Sequence, residues 1–214
     1  MRTADRERLA AEFGGTAFLL AVVVGSGIMG QRLAAGNNAL ALLANSIATG
    51  AGLYALITSL LRFGPHFNPA VTVLTIWRRQ ISAPLGLACV FAQVAGAVAG
   101  VLAAHAMFGE TLLQVSTTDR TGWPLAFAEF VATGGLLAVV SLVPERSVAA
   151  AVAAYITAAY WFTASTSFAN PAVTLARALT GTFSGIAWPA VPGFIAAQMA
   201  AVVAVWLTSR RRQT

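Results

Sequence analysis

Two hexapeptides decide how this chain is read: Asn68-Pro69-Ala70-Val71-Thr72-Val73 and, later, Asn170-Pro171-Ala172-Val173-Thr174-Leu175. Each opens on asparagine, a good helix N-cap. Proline follows at the first helical position, where its missing N–H would have had no intrahelical partner anyway. Each box therefore starts a helix. The apolar stretches behind them, residues 71–77 and 173–179, are too short to cross a bilayer, which takes about 20 apolar residues. They suit re-entrant half-helices, two of which complete one crossing between them. One such tripeptide is a common helix start, whereas two at matching places in a repeat are a specific signal.

Outward from the boxes, apolar runs of spanning length cover residues 9–30, 39–61, 84–108, 123–143, 147–163 and 189–208, which predicts six crossings. Composition agrees: 58% of the 214 residues are apolar, 9% are charged and the mean hydropathy is +0.76. These values lie far from an ordinary soluble domain. The net charge of +6 comes from arginines at helix ends rather than striped along one face, so nucleic-acid binding is not expected. Alternating the loops puts Arg2, Arg6, Arg8, Arg62, Arg78, Arg79, Arg146, Arg210, Arg211 and Arg212 on one side, with Arg32 and Arg120 on the other. By the positive-inside rule the first side is cytoplasmic and carries both termini, and the N-terminal stretch reads as a retained segment.

The two halves echo one another. Ala11-Glu12-Phe13 is matched by Ala128-Glu129-Phe130, and Ala92-Gln93-Val94 by Ala197-Gln198-Met199, in the same order around each box. Three spans per half is an odd number, so the second half enters the membrane upside down and the boxes should meet near the midplane. The expectation is a single domain over residues 1–214, with repeat one at about 9–108 and repeat two at about 123–209.

On His66-Phe67-Asn68-Pro69-Ala70-Val71-Thr72, Asn170-Pro171-Ala172, Glu12, Glu129 and Gln93, the chain resembles the major intrinsic protein (aquaporin and aquaglyceroporin) family over nearly its whole length. The resemblance implies an all-α membrane fold of six transmembrane helices plus two half-helices. It also implies a homotetramer in the plasma (inner) membrane, with one pore per subunit passing water or small uncharged solutes and needing no cofactor. Half-helices meeting N-terminus to N-terminus would set partial positive charge at the pore centre, and Asn68 and Asn170 would donate N–H groups to the passing molecule.

In that family an arginine usually follows the second box; here Val173 stands there. The remaining filter positions fall, by spacing, on Ala158, on Ser167, and on Ala48 or Thr49. All are small, so the opening should be wide and weakly polar. Arg177, one turn beyond Val173, has two readings: it reaches the outer vestibule and draws in polar or anionic solutes, or it satisfies carbonyls or a carboxylate at the half-helix end. The resemblance gives Glu12 and Glu129 a structural task, holding the half-helix loops; a proton relay is the sharper alternative. His66 would line the cytoplasmic half of the pore, as a gating group or a structural one.

His105 carries no motif, and Cys89 reads as a small buried residue. Tyr155, Tyr160, Trp161 and Phe162 read as packing or interfacial aromatics, and Gly96 and Gly100 as a close helix contact. The segment from Val173 to Leu179 looks like that of a bacterial branch associated with arsenic resistance, which implies arsenite, a neutral glycerol-like triol, or methylated arsenicals as cargo. Other classes kept in view are a secondary transporter, which would show gradient-coupled flux, and a closed structural membrane protein. No nucleophile, base and orienting group converge, so an enzyme is not expected.

Overall fold

The computed structural model describes residues 2–210, the side chain of Arg210 excepted. Arg211 and Arg212 of the arginine-rich side thus lie outside the described residues. Among these residues the chain is all-helical: α1 (Thr3–Leu33), α2 (Asn38–Leu60), α3 (Pro69–Trp77), α4 (Ala83–Phe108), α5 (Trp123–Leu142), α6 (Val148–Phe162), α7 (Pro171–Arg177) and α8 (Val191–Arg210). α1, α2, α4, α5 and α8 are long and apolar enough to span a membrane.

The span expected at 147–163 is realised as α6, with 15 residues. At 1.5 Å per residue that is about 22 Å, short of a hydrocarbon core of about 30 Å. A 3-10 turn at Glu145–Ser147 precedes it, and at Thr163 the backbone becomes extended as the chain turns toward the second box.

α1 packs along α4, α5 along α8, and α2 along α6. The α1·α4 contact is close because Gly96 and Gly100 lie against the backbones of Phe13 and Ala17, where any Cβ would collide. Beside the apolar core, Glu12, Gln93, Glu129 and Gln198 are fully buried, whereas Phe91 and Trp123 are 73% and 75% exposed. Lipid accepts those side chains without cost, while an unpaired carboxylate in it would be expensive. Cys89 is buried and free.

The short helices α3 and α7 start as the boxes predict. Asn68 Oδ1 accepts from Ala70 N at 2.9 Å, and Asn170 Oδ1 from Ala172 N at 3.0 Å and Val173 N at 3.3 Å, with proline at the first position of each helix.

Candidate functional site

Each box is suspended from one buried carboxylate. Glu12 on α1 accepts the backbone N–H groups of His66 (2.9 Å) and Phe67 (2.7 Å); Glu129 on α5 accepts those of Phe168 (2.8 Å) and Ala169 (2.9 Å). A glutamine from the third long helix of each half completes the clamp. Gln93 Nε2 donates to Glu12 (2.9 Å) and Thr72 Oγ1 (2.9 Å), and Gln198 Nε2 to Glu129 (2.6 Å) and Thr174 Oγ1 (2.9 Å). The threonine hydroxyls in turn donate to the carbonyls of Asn68 and Asn170. Both carboxylates act as acceptors throughout, which fits a holding role. Gln198, matched to Gln93 only as part of the repeat, carries the same function.

The boxes are also tied to one another. Asn68 Nδ2 donates to the carbonyl of Ala169, and Asn170 Nδ2 to that of Phe67, both at 2.7 Å. Phe67 and Ala169, each just before its asparagine, take left-handed backbone angles (φ 55° and 47°), which turns those carbonyls toward the opposite box. Each amide nitrogen carries two N–H groups, so one remains for the cavity that both asparagines line.

That cavity has a volume of about 140 Å³ and passes both boxes. Its apolar wall comes from residues spaced four apart, Thr49, Leu53, Ile57 and Leu61 from the α2 segment and Val148, Val152, Ile156 and Tyr160 from α6, with Leu19, Val23, Leu136 and Val140 between them. Thr49 is the member of the Ala48/Thr49 pair that reaches it, and Ser167 and Val173 stand on its wall.

Ala158 does not reach it: the residue is exposed on the outer face of α6. Counting back from the box assumed a regular path, but Thr166, Ser167 and Ala169 all have positive φ, so residue count and direction part company there. Tyr160, two positions further on, faces inward and pairs with Thr49 through their hydroxyls at 3.1 Å. Phe168 also lines the wall. The ring of uniformly small residues expected from the sequence therefore contains two aromatic rings. The i, i+4 stripe from Val148 would have found Tyr160; Phe168 carried no signal beyond its neighbour Asn170.

Arg177 satisfies a carbonyl, as one of its readings has it, and also borders the cavity. It is 2% exposed, its Nε donates to the Ser184 carbonyl, its guanidinium carbon lies 3.5 Å from the centroid of Phe168, and it borders the cavity. His66 borders the cavity near its other end. Arg8 is 2.9 Å from His66 Nε2, and a guanidinium has only donors, so Nε2 accepts and the ring proton sits on Nδ1, aimed at Thr72 Oγ1 at 3.0 Å. Glu12 Oε1 is 3.8 Å from the same Nδ1, beyond hydrogen-bond range. His105 is structural: it bonds the Leu112 carbonyl and Thr180 Oγ1, both at 2.8 Å, tying the end of α4 to the segment after α7.

The family model described as "Major intrinsic protein" matches residues 2–146. The chain is 49% identical over 200 residues to the protein named "Aquaglyceroporin AqpS" of Rhizobium meliloti (strain 1021), an alignment covering 92% of this chain and 85% of that protein.

Proposed function

The chain belongs to the major intrinsic protein family, and from that premise we propose that it is a passive channel for glycerol-sized neutral solutes, arsenite among them, with water as a further permeant. The observation that carries this reading is the cavity past both asparagines, with Val173 where a wall arginine would fill space. Two inward amide N–H groups suit hydroxylated solutes, and the apolar stripes of α2 and α6 leave passing molecules few other partners. The similarity to a protein named an aquaglyceroporin supports polyols rather than water alone. Physically, the wall does not separate arsenite from glycerol, since both are small neutral triols.

The working unit is read as a homotetramer in the inner membrane with cytoplasmic termini, an orientation supported by Arg6, Arg8, Arg62, Arg78, Arg79 and Arg146 on one side. Asn68-Pro69-Ala70 and Asn170-Pro171-Ala172 form the central barrier in this reading. Thr49, Tyr160, Ser167 and Val173 shape the outer constriction.

The test is stopped-flow swelling of proteoliposomes with water, glycerol, urea and arsenite. Val173→Arg should cut glycerol and arsenite flux by about tenfold or more, a barrier increase of about 1.4 kcal/mol. Solute flux unchanged by Val173→Arg sinks the filter assignment, and saturable uptake coupled to an ion gradient makes the protein a transporter.

A further inference from the structure

Val173 leaves the usual filter position without charge, yet the same wall holds a guanidinium one helical turn, about 5.4 Å, further along α7. Arg177 is almost fully buried but incompletely paired. Nε bonds the Ser184 carbonyl, whereas among the described residues the two terminal nitrogens have no protein acceptor and are not sealed from the cavity.

Its guanidinium carbon sits over the ring of Phe168, which is braced edge-on by Phe194 with ring centroids 5.1 Å apart. Arg120 brings a second guanidinium to the same ring, 5.2 Å from its centroid, reaching in from the α4–α5 loop and anchored to the carbonyls of Gly185 (2.9 Å) and Ser165 (3.3 Å). Neither arginine has a carboxylate within 4.0 Å among the described residues. Glu129, the carboxylate that holds this loop, already accepts two backbone N–H groups and Gln198. Two cations and one carboxylate leave a net positive mouth. Beside it, the buried Ser167 hydroxyl, also on the cavity wall, has no hydrogen-bond partner.

Resting on the channel reading above, we propose that Arg177, held over the ring of Phe168 and seconded by Arg120, is the charge filter of this pore: its free terminal N–H groups take the oxygen of an entering neutral solute and reject cations of the same size. An ionisable group in the bilayer with unpaired donors toward a cavity is best explained by what passes it. A guanidinium stacked on an aromatic face keeps its donors in one plane, which a lysine would not do.

Urea and the guanidinium ion test this directly, because they share size and planarity and differ in charge. In proteoliposomes the wild type should pass urea and hold guanidinium back. Arg177→Met should raise the ratio of guanidinium to urea flux about tenfold or more, allowing for screening by cavity water. Arg177→Lys should keep the rejection, and Arg120→Met should relax it less than Arg177→Met does. The wild-type ratio is readable even where a variant does not fold. Wild type that passes both equally, or a urea-conducting Arg177→Met that still rejects guanidinium as wild type does, overturns the proposal and leaves the channel reading standing. A wild type closed to urea, glycerol and arsenite sinks both.

Discussion

The two halves share one frame but set different rings ahead of their boxes. In both, a glutamate on the first long helix holds two backbone N–H groups before the box, and a glutamine on the third bridges that glutamate to the threonine four residues after the asparagine. Two residues before the asparagine the halves part: His66 in the first, Phe168 in the second. Each ring meets an arginine, but in different ways, Arg8 by an in-plane contact to His66 Nε2 and Arg177 by stacking on the face of Phe168. The buried frame answers to backbone groups that both halves must satisfy. The rings border the cavity toward opposite ends.

The strongest test of equivalence is to remove the carboxylates. Glu12→Gln and Glu129→Gln each replace an acceptor with a donor opposite a buried N–H, at a cost of about 3 kcal/mol. The loss should be equal in the two halves, read from unfolding midpoints in detergent. A tolerant half would show that its loop is held by something else.

Next come the crossed amides. Asn68→Ala and Asn170→Ala each remove a cap and an inter-box bond, together about 2 kcal/mol, and the same titration should again show matched losses. Sharpening the difference rather than the likeness, His66→Phe installs the second half's ring in the first and gives up the contacts to Arg8 and Thr72. That should cost about 1 kcal/mol and leave urea-over-guanidinium selectivity as it was, because the proposed charge filter sits at the other mouth. The smallest effect belongs to Tyr160→Phe, which loses only the bond to Thr49, at about 0.5 kcal/mol; glycerol flux should change by less than about twofold.

Much of this frame was legible in the chain. The paired boxes, Glu12 with Glu129, and the order of the repeat could be read because each rests on local helix chemistry or on identity between halves. Gly96 and Gly100 could be read as a close contact for the same local reason, and the structure puts the α1 backbone against them.

What escaped depends on direction rather than spacing. Residue spacing points to Ala158, but the left-handed positions within residues 163–170 rotate the chain, so Tyr160 faces the cavity instead. Phe168 and Arg177 are nine residues apart, and their stacking follows from the turn at the box, which no periodic pattern encodes. The partners of Arg120, in a long connection without secondary structure, were equally out of reach.

The crossed bonds between the boxes also set a timetable for biosynthesis. The acceptor for Asn68 lies 101 residues further along the chain, and the donor that satisfies the Phe67 carbonyl lies 103 residues beyond it. While the ribosome is still producing the second half, the first box therefore holds an amide and a carbonyl whose partners do not yet exist. A nascent first half can hang its loop on Glu12 and Gln93, but the two crossed bonds close only once residues 169 and 170 have been made.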